Sequence, residues 1–317
     1  MIVVTGAGGF IGSRLIKHLN ELGIGNIIAV DDFDQPQKKE ILNDTYTKIF
    51  IDRSTFINFL KENHEIIDTV YHLGARTDTT EPSVEIFNKL NLNFTKAIWN
   101  ICTEHGIPLI YASSAATYGD GEFGYDDENM NNIGLLKPLN PYGDSKQEFD
   151  LWALQREETP PFWIGLKFFN VYGYGEFNKG RMASVVFHGI KQFNETGKIK
   201  LFKSHHPDYN DGEQMRDFIS VDDVVRVCHE FRTKGYNNSG IYNVGTGKAR
   251  TFLDLANSIF KGIGVKPNIE FIDTPMDIRG KYQYFTEATT KKLKKVGIDT
   301  NFIELEEGIK KYYIQSM

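Results

Sequence analysis

Three glycines in register, Gly6, Gly9 and Gly12 in VTGAGGFIGSRL, limit what this chain can fold into more than any other feature. They follow the apolar run IVVT at 2–5 and precede a helix-like stretch at 10–22, so they occupy a strand-to-helix turn. A side chain there would obstruct the turn, the approach of a pyrophosphate to the backbone, or the packing of the helix on its strand. Free N–H groups at the start of that helix, with its dipole behind them, favour an anion. The next apolar run, IIAV at 27–30, leads into Asp31, where an acid reaches the hydroxyls of an adenosine ribose. This context favours a dinucleotide site over glycines that merely serve a tight turn.

The same rhythm continues. Short apolar runs at 48–51 (KIFI), 69–73 (TVYHL), 108–113 (PLIYAS) and 163–168 (WIGLKF) alternate with helix-like segments at 54–63, 83–104 and 141–157. Strands separated by helical crossovers predict an α/β fold, a Rossmann-type doubly wound parallel sheet. Beyond residue 170 the pattern turns irregular at 171–181 and 202–216, and HHPDYNDGEQ at 205–214 reads as a loop. GIYNVGTG at 240–247 again looks like a strand ending in a turn. The expected organisation is a nucleotide-binding domain over 1–170, to which part of 217–247 returns, and a smaller mixed α/β substrate-binding domain over 171–317.

Composition excludes several classes. A net charge of −6 gives no basic patch for nucleic acid or a membrane surface. Cys102 and Cys228, far apart and in no C-x-x-C arrangement, argue against a disulfide framework or a zinc site, and fit a reducing cytoplasm. There is no basic leader and no long apolar stretch. His205 and His206 lack a third ligand at a suitable spacing, so no metal is expected.

Chemistry is carried by LNPYGDSK. Asn140 and Pro141 make a helix entrance, and Tyr142 and Lys146, four apart, project from one face. An adjacent ammonium favours a phenolate and brings Tyr142 toward acid/base strength at neutral pH, while Lys146 can also hold a ribose hydroxyl. Ser113 and Ser114 end the fifth apolar run, at the edge of the ligand crevice, and Ser114 could bond a substrate alcohol beside Tyr142. Taken singly, a Tyr-Lys pair is more often a surface pair; the glycines and serines reverse that. Asp31 and Asp32 favour a ribose with free hydroxyls, whereas Lys38, Lys39 and Arg53 favour a 2′-phosphate, so the residues leave NAD and NADP open. Lys179, in the loop EFNKGRMAS, reads on chemistry alone as a solvated or phosphate-binding lysine.

The set TGAGGFIG, YASSAATYG and YGDSK resembles the extended short-chain dehydrogenase/reductase family, in which Ser, Tyr and Lys form the catalytic trio. Within it, KPLNPYGDSK, RDFISVDDV, YNVGTGKARTF, GKYQYFTEA and above all NKGRMASVVFH resemble the branch of 6-epimerases that act on ADP-linked heptoses. The resemblance runs from residue 1 to about 290. It implies epimerisation of ADP-heptose at C6 by transient oxidation, in the supply of lipopolysaccharide core heptose, with NADP (alternatively NAD) and a homo-oligomeric, cytoplasmic protein. It also implies that Lys179 is a second acid/base opposite Tyr142. This requires its pKa to fall, which burial or the nearby Arg181 would cause.

By the same resemblance Phe10, Ile11, Asp31, Asp32, Lys38, Arg53, Leu73, Gly74, Ala75, Arg76, Thr77, Asn91, Lys146, Val171 and Lys179 join the glycines around the cofactor. Asn170, Arg181, His188, Leu201, Phe202, Lys203, Ser204, Arg216 and Tyr282 join Ser114 around the sugar nucleotide. Two places depart from the pattern: the connection at 205–215 is long and acidic, and Lys281 stands where an arginine is expected. The runner-up reading is another nucleotide-sugar epimerase or dehydratase, but Ala115-Ala116 follow Ser114 where a dehydratase carries an acid pair. A catalytically silent nucleotide-binding protein would have no need of Tyr142 and Lys146.

Overall fold

The structure, a computed structural model, describes all residues but 129, 235, 236, 280, 281 and 317, and only the backbone of 130, 131, 277 and 278. Among the described residues the strands are, in order, β1 (Ile2–Thr5), β2 (Ile27–Asp31), β3 (Ile49–Asp52), β4 (Thr69–His72), β5 (Leu109–Ser114), β6 (Trp163–Phe168), β7 (Asn170–Tyr172), β8 (Ile199–Phe202), β9 (Met215–Arg216), β10 (Phe218–Ser220), β11 (Gly240–Val244), β12 (Arg250–Thr251) and β13 (Ile269–Ile272). Seven of them form one sheet in the order β11-β6-β5-β4-β1-β2-β3. Every pairing in it is parallel. The apolar runs of the sequence are these strands, and the α/β expectation holds.

Parallel strands with helices on both faces are buried on both sides and read as unbroken apolar runs rather than alternating ones. Every residue of β1, β2, β4, β6 and β11 is buried accordingly, while β3, at the edge, is half-exposed. One face is covered by Leu15, Ile16 and Leu19 of the helix Phe10–Glu21 and by Val224, Val227 and Phe231 of the helix Val221–Lys234. The other is covered by Phe56, Leu60, Ile98, Trp99 and Phe149. Trp99 meets Phe149, Trp152 and Trp163 edge-on at 5.9, 5.8 and 5.0 Å. Truncating it to alanine would remove about 3–5 kcal/mol.

A second core lies away from the sheet. Val186 and Ile190, Leu201, Leu255, Ile259 and Phe260, and Leu305, Ile309 and Tyr312 pack together, bringing the helices Val185–Thr196, Phe252–Ile263 and Leu305–Ser316 around the parallel pair β8 and β13. Leu293 and Ile298 cross back into the first core. The stretch expected to be irregular opens with β7, paired in parallel with β10, and contains a 3₁₀ turn at Phe177–Met182. Three residues are too few for a period to show, so the sequence could not reveal β7. The 205–214 segment is a loop as expected. It folds back on the second core, with Ser204 N–H donating to Asp211 Oδ1 (2.8 Å) and Leu253 N–H to the Gly212 carbonyl (2.9 Å). Among the described residues no helix is long and apolar enough to cross a membrane, and Cys102 and Cys228 are buried free thiols.

Candidate active site

The sheet order reverses at β1, between β2 and β4, and the crevice outside the carboxyl ends of such strands is where an open α/β sheet takes its ligand. The glycine turn closes that crevice from below. A Cβ on Gly12 would sit 2.1 Å from the Gly6 carbonyl oxygen, and Gly6 itself holds φ +68° against the backbone of Gly74. No side chain caps the helix Phe10–Glu21, so its first-turn N–H groups remain for an anion.

The cavity above, about 210 Å³, is walled by Gly6, Gly9, Phe10, Ile11, Gly12, Asp31, Lys38, Arg53, Leu73, Gly74, Ala75, Arg76, Thr77 and Lys179, with Thr5, Val30, Leu90 and Phe94. Most of the sequence-selected cofactor residues therefore meet in one place, and the turn, the helix end and the acid at the end of β2 fit a dinucleotide.

Four of the set lie outside that wall. Asp32 accepts from Gln35 at 2.8 Å and faces Arg53 at 3.4 Å. Asn91 acts from behind: its Oδ1 accepts from Arg76 N–H (2.8 Å) and its amide donates to the Arg76 carbonyl (3.0 Å) and to Ser145 Oγ (3.0 Å), pinning the 73–77 loop. Val171 lies in β7 opposite Ile219. Lys146 is buried with Nζ donating to the Ala112 carbonyl at 2.6 Å. Asp31 is engaged within the protein: Oδ2 accepts from Gly8 N–H at 2.9 Å, and Oδ1 from Lys38 Nζ at 2.6 Å and Asp32 N–H at 2.8 Å.

The helix Pro141–Leu154 starts as the sequence suggests, with Asn140 Oδ1 accepting from Gly143 N–H (2.9 Å) and Pro141 in the first turn. The expected electrostatics differ. Burial raises the Tyr142 phenol above its ordinary value, the Ser114 side chain lowers it and the Asp150 carboxylate raises it, but Lys146 is not among the groups that act on it. Its ammonium is committed to Ala112, and burial pushes Lys146 down to about 8 against an opposing pull from Asp150. Ser114, not Lys146, is the polarising partner of the phenol here.

Lys179 sits half-buried on the Phe177–Met182 turn, with Nζ 5.4 Å from the centre of the Phe10 ring at the cofactor cavity. Burial lowers its pKa and Glu176 raises it. The expected lowering therefore comes from desolvation, with no contribution from Arg181.

A second cleft, about 470 Å³, is lined by Thr79, Thr80, Glu81 and Pro82, by Ala116, Leu139, Asn140 and Pro141 beside Tyr142, and by Arg216, Tyr282 and Gln283. The loop after β4 thus walls the cofactor cavity with 73–77 and this cleft with 79–82. The Arg216 guanidinium is buried over Tyr282 (5.4 Å) and Phe252 (5.6 Å), and donates to the carbonyls of Met215 and Gln283.

The remaining sugar-side residues are scattered. Asn170 is exposed, accepting from Thr286 at 3.4 Å; His188 bonds the Arg181 carbonyl at 3.4 Å; Arg181 is exposed near Asp78. Leu201 is in the second core, Phe202 packs on Tyr282 at 6.2 Å, Lys203 pairs with Asp273 at 3.4 Å, and Ser204 bonds His206. Gly280 and Lys281 lie outside the described residues.

Sequence reasoning missed three buried charged groups around these seats. Asp150 and Lys167, fully buried, pair at 2.7 Å. Glu176, also fully buried, accepts from Ser184 Oγ (2.7 Å), Ser184 N–H and Gly173 N–H (3.3 Å). Asp150 could have been found, since it follows Lys146 by four residues on the face that carries Tyr142. His72 was also passed over. Buried and held well below the usual histidine range, at about 3, it links Thr5 and Thr95 (2.7 and 2.9 Å) across the floor of the crevice.

Comparison with known proteins agrees with this architecture. Residues 2–245 match the NAD dependent epimerase/dehydratase family, and the chain belongs to it. The chain is 45% identical, over 98% of its length and 96% of theirs, to ADP-L-glycero-D-manno-heptose-6-epimerase of Fusobacterium nucleatum. The protein of that name from Nitratidesulfovibrio vulgaris strain DP4 is also 45% identical, over 99% of this chain and 97% of its own. Among solved structures, the Helicobacter pylori enzyme of the same name superposes with a TM-score of 0.80 at 26% identity, covering 99% of this chain and 95% of its own. A UDP-N-acetylglucosamine 4-epimerase from Methanobrevibacter ruminantium, at TM-score 0.82, 22% identity and coverage of 100% and 98%, shares the fold. The protein is an epimerase-class enzyme that works with a nicotinamide cofactor.

Proposed function

We propose that the protein interconverts the C6 epimers of ADP-D-glycero-D-manno-heptose and ADP-L-glycero-D-manno-heptose. The observation that carries this reading is Lys179, delivered by the NKGRMASVVFH segment into the wall of the dinucleotide cavity. Full-length relatives bearing that enzyme's name support it.

C6 of the heptose has no neighbouring carbonyl to acidify its hydrogen, so a bare proton abstraction is too slow. When bound, the nicotinamide accepts a hydride from C6 and returns it. The chain's residues handle the proton. Tyr142, whose ionisation the Ser114 side chain favours, takes the hydroxyl proton of one epimer and gives it back, and Ser114 steadies the oxygen. Once the sugar is a ketone it can turn over, and its oxygen then faces Lys179, whose lowered pKa suits the same exchange for the other epimer. Arg216 and Tyr282 in the adjoining cleft are placed to hold the nucleotide sugar while it turns.

NADP is favoured over NAD. Lys38 Nζ, paired with Asp31 Oδ1 at 2.6 Å, neutralises the acid that would repel a 2′-phosphate, and Arg53, held only loosely by Asp32 at 3.4 Å, adds a second cation to the cavity wall. Mass spectrometry of nucleotide extracted from the purified protein tests this, and NAD alone would refute it. Incubating the loaded protein with ADP-D-glycero-D-manno-heptose and following the C6 epimers by NMR tests the reaction. No interconversion would sink it.

A further inference from the structure

We propose that the buried Asp150–Lys167 ion pair is a positioning clamp that sets the Ser114 hydroxyl against the Tyr142 phenol, and thereby governs turnover rather than ligand binding. This rests on the reading of Ser114, Tyr142 and Lys146 as the reacting trio.

The clamp, together with Lys146 on the same helix, grips four consecutive residues at the end of β5. Tyr111 donates its hydroxyl to Asp150 Oδ1 at 3.0 Å, and Ser113 donates to Asp150 Oδ2 at 2.6 Å. Between them, the Ala112 carbonyl accepts from Lys146 Nζ at 2.6 Å. The fourth hold comes from β6: Lys167 Nζ donates both to Asp150 Oδ2 (2.7 Å) and to Thr117 Oγ1 (2.6 Å), and Thr117 in turn donates to the Ser114 carbonyl at 2.8 Å. Asp150 thus ties the helix that carries Tyr142 to the strand, and Lys167 ties the same carboxylate to the turn that follows Ser114.

Stability does not account for such a pair. Two charges taken wholly out of water lose about as much solvation as they recover from each other, and well-packed apolar residues of the same volume serve a fold equally well. Neither side chain lines the cofactor cavity or the sugar cleft, so neither touches a ligand there. What the pair does is make the distance between two separately supported oxygens, one on the helix and one on the strand end, depend on fixed bonds of known length. Misplacement by about 1 Å costs on the order of a hundredfold in rate.

The test compares Asp150→Leu/Lys167→Met, which removes both charges together, with Lys167→Arg, which keeps the charge and its donors. The double variant is expected to lose some Tm, because the buried Tyr111 and Ser113 hydroxyls lose their acceptor, but to keep its NADP affinity and its KM for ADP-heptose within about threefold, while kcat falls by about tenfold or more. Lys167→Arg is expected to recover most of kcat. A crystal structure of the double variant should show the Ser114 and Tyr142 oxygens drawn apart.

A double variant with kcat within about twofold of wild type overturns the proposal. So does one that loses Tm and NADP binding together, because the pair would then serve the fold. If the wild-type protein fails to turn over ADP-heptose, the functional reading falls by itself. The clamp is then judged by the crystal structure alone, where an unchanged Ser114–Tyr142 separation overturns it.

Discussion

The two proposed proton carriers, Tyr142 and Lys179, sit in very different surroundings. Tyr142 stands at the start of a capped helix whose next turns are bonded into β5 through Lys146 and Asp150, in the middle of the seven-stranded sheet. Lys179 stands on a single 3₁₀ turn, broken at Gly180 by φ +53°, with Phe177, Asn178, Gly180 and Arg181 exposed around it. Its main anchor is Glu176, whose carboxylate accepts from the N–H and the hydroxyl of Ser184 at the start of the helix Val185–Thr196 and whose carbonyl accepts from Lys179 N–H at 3.0 Å. Turns with few buried contacts open locally at lower free energy than sheet cores. On the proposed mechanism a sugar that turns over between two donors needs one wall that yields, and the turn that carries Lys179 is the candidate for it.

Substitutions at the two seats test that contrast, the largest effect first. Tyr142→Phe should lower kcat by about a thousandfold with cofactor affinity retained, since the phenol is the carrier with no neighbour to replace it. A loss of less than about tenfold would mean that a second group reaches the same oxygen. Lys179→Met should lower kcat by about a hundredfold, the smaller figure reflecting a more open seat where water can serve in part. Normal turnover in that variant would return Lys179 to the role of a solvated loop lysine. At the anchor, Glu176→Gln keeps the size of the side chain and one accepting oxygen, gives up one of the backbone hydrogen bonds from Gly173 or Ser184, and removes the charge that raises the Lys179 pKa. Turnover should fall by only about fivefold, and the limb of the pH–rate profile that belongs to Lys179 should move to lower pH. A profile that does not move would show that the loop carboxylate and the lysine are electrically separate.

The same contrast explains what could be read in the sequence. Gly6, Gly9 and Gly12 and the buried strands are local in sequence, and the turn and the sheet emerged at the residues that announced them. Tyr142 and Lys146 share a helix, where a spacing of four has one geometric meaning. Lys179 has no such period: its place beside Phe10 depends on a contact across more than half the chain, and on its own chemistry it reads as an exposed lysine. Periodicity also could not show where the Lys146 ammonium would point, because strand β5 offered it the Ala112 carbonyl in place of the neighbouring phenol. The resemblance sets Asn91 at the cofactor, whereas the π-helical turn at Asn88–Asn93 holds it behind the loop that lines the cavity. A bulge of that kind re-aims a side chain and leaves little trace in composition.

The smallest expected effect concerns stability and separates the two lysines most cleanly. Lys146 is buried, with a pKa of about 8 in the folded chain against about 10.5 for an unperturbed lysine. Below pH 8 both folded and unfolded chains hold the proton, and the folded one bears the full cost of burying the charge. From pH 8 to 10.5 the folded lysine sheds its proton while the unfolded one keeps it, so the cost fades as pH rises. Replacing it by methionine removes that cost along with the bond to Ala112, and Lys146→Met should be more stable than wild type by about 1 kcal/mol at pH 7. Measured by urea unfolding across that range, this advantage should shrink steadily above pH 8. Burial also lowers the Lys179 pKa, but the residue is half-exposed and Glu176 opposes the shift, so Lys179→Met should show the same trend with a smaller amplitude. Equal stability changes in the two variants would mean that the loop seat is as enclosed as the helix seat, and the yielding wall would have to be sought elsewhere.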